Sequence, residues 1–110
     1  MNERQKLGRL GEKFAEQVLC LQGYRILERN YRCRDGEIDL IADKDEELFF
    51  IEVKTRRNSW FGQPCEAVDR RKQMNLRKAA QSYVVKNRCY YQYYSFQVVE
   101  VDFRLIENAF

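Results

Sequence analysis

The chain has no histidine. That absence excludes Ser-His-Asp and Cys-His nucleophilic chemistry, and with it the usual cysteine–histidine zinc sites. Any acid–base work falls to carboxylates, lysine, tyrosine or water. The four cysteines, Cys20, Cys33, Cys65 and Cys89, form no C-x-x-C pair, so they read as thiols in a reducing compartment. No apolar run approaches the roughly 20 residues that span a bilayer. The opening Met1-Asn2-Glu3-Arg4-Gln5-Lys6 lacks the apolar core of a secretion signal. A cytoplasmic protein with no membrane partner is expected. There is one proline, Pro64, and no repeat, low-complexity tract or Pro/Gly/Ser linker.

What remains is a chain of 110 residues, 45% hydrophobic and 34% charged, enough for one core and so for a single domain over residues 1–110. The net charge of +3 permits nucleic-acid binding without arguing for it. The distribution of charge says more. Lys54, Arg56, Arg57, Arg70, Arg71, Lys72, Arg77 and Lys78 are opposed in their span only by Glu66 and Asp69. Such a basic face is the footprint of a phosphate-backbone binder, although a solvated helix face gives the same composition.

Periodicity predicts the elements. Leu7, Leu10, Phe14, Val18 and Leu21 recur at helical spacing over residues 3–22, and Gly23 is a stop. Residues 24–31 read as a strand and Asp35-Gly36 as a turn. Residues 37–42 are a second strand, 43–46 a hairpin turn, and 47–55 a third strand built on Leu48-Phe49-Phe50-Ile51. Residues 56–66 look irregular. Residues 67–86 form a second helix with Leu76, Ala79, Ala80, Tyr83 and Val84 on one side, capped by Asn87, and residues 95–105 a last strand. The order α-β-β-β-α-β implies an α/β fold, a mixed sheet flanked by helices.

The chemistry concentrates in Gly36-Glu37-Ile38-Asp39-Leu40-Ile41 and Glu52-Val53-Lys54. Strand interiors rarely carry such charges, because burying an ionised group is costly unless something compensates it. Residues two apart share a strand face, so Glu52 and Lys54 point together, and Glu37, Asp39 and Ile41 do likewise. Pairing through the hairpin turn brings Asp39 towards Glu52. Two carboxylates suit a hard cation such as Mg²⁺ or Mn²⁺, and Lys54 beside them can stabilise developing charge. The competing reading is a Glu52–Lys54 ion pair on an exposed face. On the first helix, Gly8, Gly11 and Ala15 make a small-residue stripe that suggests close approach to a sheet or ligand. It would carry Glu12 to the strand carboxylates, with Glu16 the competing candidate. Lys72 falls on the apolar side of the second helix, able to reach a substrate phosphate or merely to snorkel. Trp60 and Phe61 can stack on bases or pack on the sheet. The tract Tyr90-Tyr91-Gln92-Tyr93-Tyr94 suits a sheet edge or a dimer interface, with base stacking as the other alternative.

Gly36-Glu37-Ile38-Asp39 with Ile51-Glu52-Val53-Lys54-Thr55-Arg56 resembles the core of the restriction-endonuclease-like PD-(D/E)xK nucleases. With Gly8, Gly11-Glu12 and Phe61-Gly62 added, the chain from about Gly8 to Phe103 is similar to the YraN-like family of small bacterial proteins related to Holliday-junction resolvases. The resemblance implies an αβββαβ restriction-endonuclease-like core. It makes Asp39 and Glu52 metal ligands, Lys54 the active-site lysine and Glu12 a helix-borne catalytic acid. It also implies a Mg²⁺- or Mn²⁺-dependent endonuclease that hydrolyses phosphodiesters of branched or single-stranded DNA in repair or recombination. The substrate is DNA more than RNA, and a homodimer matches the symmetry of a junction. Ile38 stands where the motif places proline. The rival from another class is a non-catalytic nucleic-acid-binding module with the same fold.

Overall fold

The computed structural model describes residues 1–57 and 69–110. Asn2 opens the first helix, α1 (Glu3–Leu21), in a capping box: its side chain accepts from the Gln5 amide while the Gln5 side chain accepts from the Asn2 amide. Gly23, at φ 93°, ends it, a conformation open to glycine and costly for most other residues. The strands are β1 (Arg25–Cys33), β2 (Gly36–Lys44) and β3 (Glu47–Arg57). Helix α2 (Arg70–Asn87) leads to β4 (Tyr93–Phe103). The expected order α-β-β-β-α-β is therefore observed.

The sheet order is β1-β2-β3-β4, antiparallel at the first two junctions and parallel between β3 and β4. A crossover through α2 returns the chain parallel to β3, as a βαβ connection requires. The β2–β3 hairpin is tighter than the sequence suggests. Asp43 and Lys44 are already in β2, and only Asp45 and Glu46 turn, both at positive φ (50° and 65°). That pair of angles belongs to a two-residue turn matched to strand twist. Asp69, its side chain accepting from the Lys72 amide, caps α2, so the helix begins at Arg70. At the other end Arg88, in the left-handed region, is the C-cap, and Asn87 is the last helical residue.

The helices take opposite faces of the sheet. Ala79, Ala80 and Tyr83 of α2 pack with Tyr31, Ile38, Ile41, Leu48 and Phe50, while Leu76 and Val84 close the margin as the periodicity predicts. On the other face Leu19 of α1 packs with Leu40, Ala42, Phe49 and Ile51. The buried face of α1 differs from the apolar stripe read in sequence. Gly11, Ala15 and Leu19 are buried, whereas Leu10 and Phe14 are half exposed and Leu21 is almost fully so. The reason is close approach. A Cβ on Gly11 would stand 2.0 Å from Thr55 Oγ1, so the helix backbone lies against β3 and admits only small residues there. Among the described residues no helix is long and apolar enough to cross a membrane.

Candidate active site

The site begins where the β2–β3 ladder stops. Its last pair is Leu40 with Ile51. Beyond it Asp39 turns into the gap, and its Oδ2 accepts from the Val53 amide at 2.8 Å in place of a ladder bond. Strict alternation fails at this point. Ile38 and Ile41, three residues apart, both pack under α2. Asp39 therefore shares the α1-side face with Glu37, as period-2 reading expects, but not with Ile41, which lies under α2. It occupies the fork between two diverging strands.

Asp39 has no basic partner among the described residues. Burial and the carboxylates of Glu52, Glu12 and Glu37 push its pKa up to about 7, against the stabilising Val53 amide. Glu12 lies on α1 beside the same cleft, which Gly8, Arg9, Lys13, Glu37 and Asp39 also line. Its own pKa is raised, first by burial and then by Glu37, with Arg9 opposing and Glu52 adding to the rise. The competing candidate Glu16 is taken. Arg29 donates Nε bonds of 3.0 and 2.9 Å to its carboxylate and pairs again through Nη2, which lowers the Glu16 pKa.

Glu52 lies across the fork, its side chain 13% exposed, on the face shared with Leu48 and Phe50. It pairs with Lys72 of α2, whose Nζ stands 2.5 Å from its Oε1. The expected local alternative, a Glu52–Lys54 pair, does not form. Lys54 is half-buried two residues further along β3, and no ion pair to it occurs among the described residues. Sequence reasoning placed Lys72 inward but missed that its partner is Glu52. It also did not give Glu37 a place in the acidic group, although the spacing Glu37-x-Asp39 was there to signal it.

The basic residues divide. Arg70, Arg71, Arg77 and Lys78 are exposed on α2. Arg56 is mostly covered and pairs with Glu100 at 2.6 Å, bracing β3 to β4. The side chain of Arg57, together with Trp60, Phe61 and Cys65, lies outside the described residues. The tyrosine tract serves the far end of the sheet, where Tyr91 donates to Asp43 and its ring meets Tyr94.

The donor chemistry fits a hard divalent cation. Asp39 and Glu52 each keep one carboxylate oxygen outside the bonds just described, and oxygen donors completed by water are what Mg²⁺ and Mn²⁺ take. The half-buried Asp39 carboxylate, with acidic neighbours and no basic partner among the described residues, also has a deficit of positive charge that such an ion would fill. Among the described residues, however, no three His, Cys, Asp or Glu side chains converge closely enough to hold an ion together. The protein's share is thus at most a two-carboxylate set.

Sequence comparison decides the family. A profile described as "Uncharacterised protein family UPF0102" matches residues 11–101. The chain belongs to the UPF0102 family. This is the YraN group, a Holliday-junction resolvase-like family with the restriction-endonuclease fold. A UPF0102 protein of Caldicellulosiruptor saccharolyticus is 43% identical, aligned over the whole of both chains. One from Syntrophomonas wolfei is 47% identical, covering 94% of this chain and 88% of its own. One from Moorella thermoacetica is 52% identical over 74% of this chain and 68% of its own. Family membership fixes the αβββαβ frame in which Asp39, Glu52 and Lys54 stand. The activity is a separate question.

Proposed function

We propose that this UPF0102 chain is a metal-dependent nuclease that hydrolyses phosphodiesters of nucleic acid, DNA before RNA, in the cytoplasm. One observation carries the reading. Asp39 is half-buried at a strand fork, lacks a basic partner among the described residues, and feels the like charges of Glu52, Glu12 and Glu37. A structural aspartate gains nothing from such a place, and like charges crowded in a cleft mark functional sites.

Asp39 and Glu52 would hold Mg²⁺ or Mn²⁺. The bound ion supplies an acidified water and offsets charge on the phosphorane-like transition state. The chain's own residues do the rest. The Val53 amide fixes the Asp39 carboxylate in the fork. Lys54 presents a cation to the phosphoryl oxygens as charge develops there. Glu12, its pKa raised first by burial and then by Glu37, is the residue beside the cleft that would take or give a proton. Arg70, Arg71, Arg77 and Lys78 contact the phosphate backbone at longer range. A two-fold dimer would suit a branched substrate.

A second reading has its own support. With Glu52 paired to Lys72, the chain resembles a nucleic-acid-binding module that keeps the fold without turnover. Labelled junction, flap, single-stranded and duplex DNA incubated with Mn²⁺ or with EDTA separates the two. Cleavage in Mn²⁺ that EDTA abolishes and Asp39→Asn removes is the expected result. Binding without cleavage of any DNA or RNA substrate transfers the conclusion to the binding module.

A further inference from the structure

On the α2 face of the sheet, the helix lies over β2 and β1 and leaves β4 uncovered. The residues of β4 on that face, Tyr94, Phe96 and Val98, are 45%, 49% and 46% exposed. Between them and α2 runs a groove of about 200 Å³, with Phe50, Leu76, Phe96 and Val98 among its apolar lining and Glu52 and Arg77 as its charged members. Phe96 lies with its ring centroid 5.4 Å from that of Phe50, the planes tilted by 32°. The strand register sets the direction. Phe50 pairs with Phe96 and Glu52 with Val98, so the groove runs along the strands into the candidate metal ligand, with Lys54 next in line.

We propose that this groove is the subsite for one unpaired nucleobase of the substrate strand. The inference rests on the nuclease reading for its orientation and goes beyond it in giving one unpaired nucleotide beside the cut a place in the fold. A half-exposed aromatic ring backed by a second ring is a stacking platform. The Arg77 guanidinium beside it can take the phosphate of that nucleotide or stack on the base. Continuity with Glu52 and Lys54 matches a strand whose next phosphate sits at the fork. A peptide or a second copy would bury the Glu52 and Arg77 charges against apolar surface, which is costly. A nucleotide offers the base to the rings and its phosphate to the cations.

The test is equilibrium binding in EDTA, which prevents turnover, read by anisotropy. The probes are a labelled oligothymidylate, the same backbone with abasic sites, and a blunt duplex. The parent protein binds oligothymidylate more tightly than the abasic strand. Phe96→Leu keeps an apolar contact with Phe50 but removes the stacking face, so affinity for oligothymidylate falls about 5-fold to 100-fold, the range of one lost stack. Affinity for abasic and duplex DNA holds, and Phe96→Trp restores the preference. Unfolding curves of each variant confirm that the folded fraction is unchanged; Phe96→Ile, which also lacks a ring, replaces Phe96→Leu if that variant fails to fold, and Phe96→Tyr replaces Phe96→Trp. Equal affinity of the parent for oligothymidylate and abasic strand overturns the proposal, whatever the cleavage assay shows. So does a Phe96→Leu variant with the parental preference, or one in which sedimentation shows a dimer turned to monomer, because the groove is then a self-association face. A selective loss in a protein that never cleaves DNA leaves the subsite in place and removes only the nuclease reading.

Discussion

Strand β2 carries two aspartates four residues apart, and they are treated in opposite ways. Asp43, at the closed end of the sheet, is 8% exposed and fully partnered. Arg25 donates to it at 3.0 and 2.7 Å and Tyr91 adds a third bond at 2.7 Å. The Arg25 hydrogen bond leads the causes that hold the Asp43 pKa below the usual carboxylate value. Asp39, at the open end, receives one amide bond and three acidic neighbours, and its pKa rises to about 7. The fold can clearly supply a buried carboxylate with counter-charge, since it does so four residues away. Among the described residues Asp39 has no such partner, and the proposed function assigns the counter-charge at this open end to a divalent cation.

The contrast can be broken most sharply through Lys54. If the open end is catalytic, Lys54→Ala lowers single-turnover cleavage by roughly 10²–10³-fold, the usual loss for one electrostatic donor. Its melting temperature stays near the parent's and Mn²⁺ binding survives. A loss of cleavage that merely follows the folded fraction would make Lys54 structural.

Asp43→Ala probes the closed end. It strips three hydrogen bonds from a buried carboxylate site and leaves Arg25 and Tyr91 without that partner. Urea unfolding shows a loss of roughly 2–3 kcal/mol, moderated because the Arg25 side chain is 73% exposed. Cleavage per folded molecule is unchanged. Equal damage from Asp43→Ala and Asp39→Asn in both assays would erase the distinction between the two ends.

The two ends also differ in pH dependence. Asp39 has a folded pKa above its unfolded one, so the folded state holds the proton longer. Its contribution is most favourable below the unfolded value of 3.8 and is lost as pH rises through about 7. Asp43 is the reverse: its stabilisation is present above the unfolded value and is lost as pH falls through its lowered folded one. Asp39→Asn keeps an acceptor for the Val53 amide and removes the charge. In metal-free buffer at pH 8 it is expected to be more stable than the parent by roughly 1–3 kcal/mol, with a flatter pH profile from 4 to 8. A destabilised Asp39→Asn at pH 8 would mean that the carboxylate is compensated after all.

The smallest effect lies on the helix that serves neither aspartate directly. Replacing Arg70 and Arg71 reduces the slope of log K against log salt for DNA by about 1–2 units, near 0.7–0.9 per lost phosphate contact. An unchanged slope makes that face ordinary solvated surface.

Much of this frame was legible in the chain. Leu48-Phe49-Phe50-Ile51 and the Ala79/Ala80/Tyr83 periodicity carry the sheet and α2, because burial on a pleat or helix face leaves a local pattern, while the two turns, read at 35–36 and 43–46, fall at 34–35 and 45–46. The acids and Lys54 stand out because charge in an apolar strand is conspicuous. Three features were not legible, each for a different reason. The buried face of α1 follows Gly11 and Ala15 rather than Leu10 and Phe14, because backbone contact with Thr55 outweighs side-chain hydrophobicity. The slip of β2 at Asp39 breaks the alternation that any period-2 reading assumes. The Arg25–Asp43–Tyr91 network and the Lys72–Glu52 pair join residues 18 to 48 positions apart, so no local window contains them.

The central claim is that the open end, not the closed end, is built for a divalent cation. Isothermal calorimetry of Mn²⁺ binding to the parent, Asp39→Asn and Asp43→Asn proteins at pH 7.5 tests it most directly. The parent and Asp43→Asn should bind with similar affinity, while Asp39→Asn, though folded, should lose at least about tenfold, the order of one lost charged ligand. Equal binding by all three proteins, or none by the folded parent, would contradict it.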